Sequence, residues 1–308
     1  MQLWERNLED NLFKLHAELK YKIYRHSDYT AFYITDPKQR HIHKADVRDR
    51  ILHHAVYRVL YPIFDKSFIF DSYSCRLNKG THKAVARLEN FARKVSKNYT
   101  SPCFGLKCDI KKFFDSVDHT ILYEIVERRI GDKDVLWLLR EIIDSFNLAL
   151  PDVQIERERE RRPAGRGIPI GNLTSQLFAN IYLNELDKFI KHELRCRNYL
   201  RYCDDFVILS SDLTYLENIV PEIEKILKNR LKLKLHKDKI TIRKLRQGID
   251  FLGYVVLPNC KVLRTKTKRR MLERANSRNL PSYLGLLKHC NSHRLTQGLI
   301  EKFSPSGD

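Results

Sequence analysis

The sequence lacks the features that mark disulfide-bonded, zinc-binding, membrane and repeat proteins. Its seven cysteines include no Cys-x-x-Cys pair, and an odd count without metal-ligand spacing argues against a disulfide framework and a zinc site. No apolar run approaches the roughly 18 residues that a transmembrane helix requires, and the first residues do not resemble a signal peptide. Internal repeats and low-complexity linkers are also absent. We therefore expect a cytoplasmic protein with reduced thiols and no membrane association.

Positive charge is what the chain has in excess. Lys and Arg total 57 against 38 Asp and Glu, which gives a net charge of +19. The excess is concentrated between residues 225 and 278, where 18 residues are basic and 3 are acidic. Such a surface neutralises phosphates and binds polyanions with little sequence preference. Any sequence choice must then come from base pairing or from a structured RNA.

Aspartates occur in two places where they can meet at a metal site. The tetrapeptide Tyr202-Cys203-Asp204-Asp205 lies between two short apolar runs, which predicts a β-hairpin with adjacent carboxylates at its tip. Asp109 ends a predicted strand over residues 104–109. Hard carboxylate oxygens of this kind suit a pair of Mg²⁺ ions about 3.5 to 4 Å apart, as in phosphoryl transfer.

Between these aspartates lies a constrained segment over residues 167–180. Gly167, Pro169 and Gly171 predict a fixed loop, and Asn172 or Thr174 is predicted to cap the helix that follows. The loop makes the aspartate pair less easily explained as a chance occurrence in a turn.

In this order, the motifs resemble those of a reverse transcriptase. Asp109 falls in the first catalytic motif, residues 167–180 in the second and residues 202–205 in the third. The segment 251–254 resembles the primer-grip turn, and segments 73–76 and 79–82 resemble parts of the fingers. The resemblance covers about residues 10 to 300. It implies an RNA-directed DNA polymerase, a nucleotidyltransferase that uses an RNA template, a DNA or RNA primer and dNTPs.

The resemblance also assigns catalytic roles. Asp109 and Asp204 correspond to the principal ligands of two Mg²⁺ ions, with Asp205 assisting and the Ile110 carbonyl as a backbone ligand. Lys239 corresponds to a lysine that protonates the departing pyrophosphate. The alternative for Lys239 is a solvated charge in a basic stretch.

Further residues correspond to the nucleotide and template sites. Phe114 matches a steric gate that excludes a ribose 2′-hydroxyl, although an ordinary core phenylalanine is the alternative. Lys38 and Arg40 match residues that hold the triphosphate, as ammonium and guanidinium groups suit phosphate oxygens. Ile170 and Gly171 match positions beside the nascent base pair. The residues that match template and primer contacts are Arg76, Ser175, Gln176, Phe251, Leu252, Gly253 and Tyr254.

The second motif indicates a subtype. Retroviral and group II intron enzymes usually carry Pro-Gln-Gly where this chain has Pro169-Ile170-Gly171, with Ser175-Gln176 four residues further on. That combination resembles the error-prone reverse transcriptases of diversity-generating retroelements, which mutate at adenines and work with a pentameric basic accessory variability protein. Defence-associated bacterial reverse transcriptases, which serve antiviral defence, are the alternative.

The expected architecture is an α+β right hand. We predict an N-terminal helix and fingers over 1–100, a palm with interleaved fingers elements over 101–258, and a small basic helical thumb over 259–308. The palm is expected to have an antiparallel sheet backed by helices. Helices are predicted at 46–65, 80–97, 118–130, 134–147, 173–195 and 213–230, and strands at 31–35, 104–109, 199–210, 239–244 and 251–257. Residues 156–162 are predicted to form an exposed loop or strand extension. Two alternative functions are an RNA-binding scaffold without catalytic activity and a nucleotide cyclase.

Overall fold

A computed structural model describes residues 2–35, 39–148 and 165–303. The chain divides into two compact units, each built from separated stretches of sequence. The first unit comprises Met1–Phe70, Ile110–Glu193 and Glu222–Leu235, and the second comprises Asp71–Asp109, Leu194–Pro221 and His236–Asp308. The loop predicted at 156–162 lies outside the described residues. The division into fingers, palm and thumb at residues 100 and 258 stays a prediction.

The first unit is mainly helical. Asp46 begins its longest helix by accepting a hydrogen bond from the Arg48 N–H, and Asp118 does the same for Ile121 at a second helix. Its elements are α1 Gln2–Arg6, α2 Leu8–Lys20, β1 Thr30–Ile34, β2 Arg40–Lys44, α3 Val47–Asp65, α5 Phe113–Ser116, α6 His119–Glu127, α7 Lys133–Leu148 and α8 Leu173–Lys188. Strands β1 and β2 pair antiparallel, and α8 continues as a π-helical turn, Phe189–Glu193.

The second unit contains the larger sheet. Four antiparallel strands lie in the order β4-β5-β3-β6, and a separate antiparallel sheet has the order β7-β8-β9. The elements are α4 Thr81–Val95, β3 Phe104–Asp109, β4 Tyr199–Tyr202, β5 Asp205–Ser210, β6 Thr241–Lys244, β7 Ile249–Phe251, β8 Tyr254–Leu257, β9 Cys260–Leu263, α10 Thr265–Arg274, α11 Leu280–Leu287 and α12 His293–Phe303. Helix α9, Leu213–Leu231, begins in this unit and passes into the first at Pro221.

One apolar core joins the sheets and helices of the second unit. Leu88 of α4, Val207 of β5 and Phe251 of β7 belong to it, and so do Met271 and Leu287 of the C-terminal helices. Each of these side chains is buried. Helices α10 to α12 each contribute buried residues to this core, and they therefore pack onto the core that supports the sheet.

The observed elements confirm the predicted α+β class. Every predicted helix and strand has a counterpart, but strands β2 and β9 were not predicted. β2 has the sequence Arg-His-Ile-His-Lys, which has too few apolar residues to show a strand pattern. Among the described residues, no helix is long and apolar enough to cross a bilayer.

Candidate active site

The three predicted catalytic aspartates lie at one end of the four-stranded sheet. Asp109 is the last residue of β3, and Asp205, the first residue of β5, is its direct partner across the strands. Tyr202 pairs with Asp205 in the β4–β5 hairpin, so Cys203 and Asp204 form a two-residue turn. Directly opposed residues on antiparallel strands share a face of the sheet. The structure therefore places three carboxyl groups in one region of the second unit.

Burial makes this cluster electrostatically costly. Desolvation raises the pKa of Asp204, and the nearby Asp109 raises it further. Desolvation also raises the pKa of Asp205 to about 7, against an opposing effect of Lys107. Both shifts have the same physical cause, because carboxylates removed from water and placed near one another resist ionisation. A bound cation would relieve this cost.

Two lysines offset part of the negative charge. The Lys239 Nζ donates to Asp109 Oδ1 at 2.9 Å, and the Lys107 Nζ lies 3.5 Å from Asp205 Oδ2. The position of Lys239 follows from a short 3₁₀ turn, Lys237–Lys239, which is held to the strand by the His236 N–H donating to the Asp109 carbonyl. The structure thus brings Lys239 to Asp109, one of the predicted catalytic carboxylates, while the role of Lys239 in proton donation stays a prediction.

Lys107 was missed at the sequence level. It lies two residues before Asp109, and residues at that spacing share one face of a strand. This spacing was the available signal, because a lysine beside a carboxylate on the same face can reach the partner strand.

The donor set fits a divalent cation. Asp205 Oδ1 is buried and has no hydrogen-bond partner among the described residues. Carboxylate oxygens are the ligands that Mg²⁺ prefers. Within ranges 2–35, 39–148 and 165–303, no group of three or more His, Cys, Asp or Glu side chains already surrounds a common metal position. Asp109, Asp204 and Asp205 are the residues that would hold metal ions.

The first unit gathers most of the residues predicted to contact the nucleotide. The Ile170 carbonyl accepts from the His43 N–H of β2 at 2.9 Å, and Arg40 is the first residue of that strand. The Phe114 carbonyl accepts from the Ile168 N–H at 2.8 Å. The loop that carries Ile170 therefore contacts both β2 and α5. Lys38 lies outside the described residues.

The remaining predicted metal ligand also lies in the first unit. Ile110 is buried, and its backbone forms an isolated antiparallel bridge with Leu235. Its role as a backbone ligand stays a prediction.

Asn172 corrects a sequence-level prediction. Asn172 occupies the N-cap position of α8, as predicted, but its side chain makes no capping bond there. It donates instead to the His43 carbonyl at 2.8 Å and accepts from the Ala45 N–H at 3.1 Å. Thr174 Oγ1 instead lies 3.4 Å from His53 Nδ1. The buried backbone groups after β2 need partners, and Asn172 supplies them in preference to the helix end. The effect is to fix the loop of the second motif against β2.

We expect Gly171→Ala to destabilise the first unit. Gly171 has a φ of 117°, and a Cβ there would lie 2.8 Å from the Ile42 Cγ2. Strain and contact together should lower the free energy of unfolding by about 1 to 3 kcal/mol, measured by thermal or urea denaturation. Gly131→Ala is the matched control, because its Cβ would have no atom within 4 Å. Equal unfolding midpoints for the two variants would contradict the interpretation.

The residues matched to template and primer contacts have unequal exposure. In the turn between β7 and β8, Leu252 and Gly253 both have positive φ, while Phe251 and Tyr254 are buried on either side. The Tyr254 hydroxyl donates to the Leu286 carbonyl at 3.1 Å. Only the Leu252–Gly253 tip is therefore available to a primer, and the two aromatic residues support it. These assignments to the primer stay predictions.

Three further residues were matched to the template. The Arg76 Nη1 donates to the Ser72 carbonyl at 3.1 Å in the second unit. Ser175 and Gln176 belong to the first turn of α8 in the first unit, where Ser175 is buried and Gln176 is half-buried. Their contact with a template stays a prediction.

Comparison with known proteins decides the family. The family model described as reverse transcriptase (RNA-dependent DNA polymerase) matches residues 35–256. The chain belongs to the reverse transcriptase family. This membership confirms the family predicted from the motifs around Asp109 and Asp204. Polymerases of this family generally use divalent metal ions, which agrees with the donor set described above.

Curated relatives include bacterial and intron-encoded proteins. Protein YkfC of Escherichia coli is 28% identical over 240 residues, which cover 68% of this chain and 60% of YkfC. The group II intron-encoded protein LtrA of Lactococcus lactis subsp. cremoris is 22% identical over 327 residues, covering 85% of this chain and 51% of LtrA. The chain thus spans about half to three-fifths of the length of these relatives.

Solved structures confirm the right-hand polymerase fold. Apo telomerase from Candida tropicalis aligns with a TM-score of 0.57 at 12% identity, covering 84% of this chain and 54% of the telomerase chain. Telomerase from Candida albicans aligns with a TM-score of 0.55 at 14% identity, covering 86% and 50% of the two chains. At this level of identity the likeness shows the fold.

Proposed function

We propose that this protein is an RNA-directed DNA polymerase that extends a DNA or RNA primer along an RNA template with dNTPs. The observation that carries the proposal is the meeting of Asp109, Asp204 and Asp205 at one end of the sheet, with Lys239 bonded to Asp109. An RNA-binding scaffold has no use for three half-buried carboxyl groups at one end of a sheet, of which Asp204 and Asp205 have raised pKa values. A nucleotide cyclase would not need the β7–β8 primer-grip turn.

The chain's own residues perform four tasks in this proposal. The three aspartates hold the cations, and Lys239 stands beside them to donate a proton to departing pyrophosphate. Arg40 binds the triphosphate, and Phe114 lies under the sugar. Mg²⁺ ions, when bound, supply positive charge to the attacking and leaving oxygens of the transferred phosphoryl group.

We further propose the diversity-generating subtype, in which copying is error-prone opposite template adenines. Ile170 supports it, because a branched apolar side chain replaces the hydrogen-bonding amide of the more accurate relatives. The residue is half-buried, and its backbone is fixed to β2. In this role the enzyme would act with a pentameric basic accessory protein. A defence-associated reverse transcriptase is the second candidate.

Sequencing of the cDNA products tests both parts of the proposal. The purified protein is given a heteropolymeric RNA, a primer, Mg²⁺ and all four dNTPs, and the products are sequenced in bulk. Substitutions concentrated opposite template adenines would support the diversity-generating subtype. Accurate cDNA would support the polymerase and favour the defence-associated candidate. Products unrelated to the template would contradict the proposal.

Ile170→Gln is expected to reduce misincorporation. Restoring an amide supplies a polar contact that discriminates between nucleotides, which is worth at most about one to two decades in error rate. The measurement is the error spectrum of the same cDNA assay. Ile170→Leu serves as the control, because it keeps the apolar character and should keep the errors. An unchanged spectrum in the glutamine variant would show that Ile170 does not set fidelity.

A further inference from the structure

The largest fully buried side chain among the described residues belongs to an arginine. Arg201 lies in β4, three residues before Asp204, and its exposed fraction is 0%. A buried guanidinium is costly unless its donors are satisfied. Arg201 lies two residues before the Cys203-Asp204 turn, and its contacts explain why a buried arginine is tolerated there.

The backbone of Arg201 is fixed from the side opposite β5. The Arg201 N–H donates to the Asp71 carbonyl, and the Tyr73 N–H donates to the Arg201 carbonyl, both at 2.9 Å. These bonds form an isolated parallel bridge between Ser72 and Arg201. The segment from Asp71 to Tyr73, here called the bracing segment, thus extends the edge of the sheet beside β4.

The side chain of Arg201 connects the bracing segment to the catalytic turn. Nη1 donates to the Cys203 carbonyl at 3.0 Å, and Nη2 donates to the Ser72 Oγ at 3.2 Å. Cys203 has a φ of 55°, a left-handed conformation that is unfavourable for a residue with a Cβ. The bond to its carbonyl holds the peptide that leads directly into Asp204.

The bracing segment is itself anchored. The Asp71 carboxylate accepts from the Arg87 Nε of α4 at 2.8 Å and from the Tyr73 hydroxyl at 3.3 Å. Helix α4 belongs to the core of the same unit. A continuous path of hydrogen bonds therefore runs from α4 through Asp71 and Arg201 to the carbonyl before Asp204.

We propose that Arg201 is a positioning residue, which fixes the strained Cys203–Asp204 turn and so sets the orientation in which Asp204 meets a divalent cation. The planar guanidinium can bond to two partners in fixed directions, which the single ammonium of lysine cannot reproduce. The inference rests on the proposed polymerase function, because orientation of Asp204 matters only if Asp204 holds metal.

The test is to measure the Mn²⁺ affinity and the primer-extension kinetics of two Arg201 variants. Arg201→Lys keeps the charge and Arg201→Met keeps the bulk, and Mn²⁺ binding to the primer-bound protein is measured by paramagnetic resonance. We expect Mn²⁺ affinity to fall about 10-fold and kcat for primer extension by about 10- to 100-fold, as when the partner of a metal ligand is removed. KM for dNTPs should change less than about twofold, because the Arg201 side chain is fully buried and offers no surface to a nucleotide.

Arg93→Met is the matched control, because Arg93 lies in the same helix α4 but donates to Asn98 Oδ1, outside this path. It should leave Mn²⁺ affinity and kcat near those of the wild type. If the Arg201 variants do not fold, Ser72→Ala decides, since it removes one bond to the guanidinium and should weaken Mn²⁺ binding about two- to threefold.

Folded Arg201 variants with wild-type Mn²⁺ affinity and kcat would overturn the proposal. Unchanged Mn²⁺ affinity in Ser72→Ala would overturn it in the case where the Arg201 variants do not fold. Failure of the polymerase proposal would look different. In that case the wild type makes no template-directed product, while Mn²⁺ binding still depends on Arg201.

Discussion

An Asp204→Asn variant is expected to lose template-directed DNA synthesis by about 1,000-fold or more, because it removes a charged ligand from the reacting centre. The substitution preserves the shape of the side chain and keeps its position in the turn between β4 and β5. Binding of RNA should stay near that of the wild type, since we expect its affinity to come mainly from the basic surface. The measurements are single-turnover primer extension and filter binding of the same RNA.

The same variant should not lose stability. Burial raises the pKa of Asp204, and Asp109 raises it further, so ionising this carboxyl at neutral pH costs folding free energy. The neutral amide removes that cost, and the melting temperature of the metal-free protein should stay level or rise. A large loss of activity without a loss of stability is typical of a catalytic residue.

Asp212→Asn is the control for Asp204→Asn. Asp212 is exposed, and its Oδ1 accepts from the Tyr215 N–H just before α9. Asparagine can accept the same bond, so both activity and stability should be unchanged. Full primer extension by the Asp204 variant would contradict the assignment of the active site. Loss of RNA binding in parallel with activity would indicate a structural role.

A Phe114→Val variant is expected to accept ribonucleotides. If the ring lies under the sugar, shortening it removes the clash with a 2′-hydroxyl, and the preference for dNTPs over rNTPs should fall about 100-fold. Phe114 is half-buried in the short helix α5, and its backbone bond to Ile168 does not depend on the ring. The measurement is the ratio of kcat/KM for dCTP and CTP in primer extension.

Phe113→Leu is the matched control for the steric gate. Phe113 is 1% exposed and contacts Phe114 edge to face at 5.4 Å. It is the core phenylalanine of the pair, so its substitution should reduce stability while dNTP selectivity is kept. Unchanged selectivity in Phe114→Val would mean that Phe114 also belongs to the core alone.

The local residue pattern was sufficient to predict the β-hairpin around Tyr202 to Asp205. Tyr202 to Asp205 lies between apolar runs, and the structure has the predicted hairpin, with strands on both sides. Its turn is Cys203-Asp204, so Asp204 lies at the tip as predicted, whereas Asp205 is the first residue of β5. The strand that ends at Asp109 was predicted with the observed limits. Both features depend on alternation and turn chemistry over a few residues, which are visible in a single sequence.

Long-range polar contacts were not predictable in the same way. Arg201 lies in a strand whose sequence resembles many half-buried strands, and its partner Ser72 is 129 residues away. Asn172 was expected to cap α8, but buried backbone groups of β2 compete for its side chain. The hydrogen-bond partners of these side chains depend on which distant segments come together in the folded chain. Local secondary-structure propensity carries no information about those long-range contacts.

Primer extension on a defined RNA is the measurement that tests the central account most directly. The purified wild-type protein receives a heteropolymeric RNA, an annealed DNA primer, dNTPs and Mg²⁺, and the product is compared in length and sequence with the template. We predict a DNA complementary to the RNA that disappears when EDTA is added or when Asp204 is replaced by asparagine. Product made without template, or synthesis that persists in the Asp204 variant, would contradict the account.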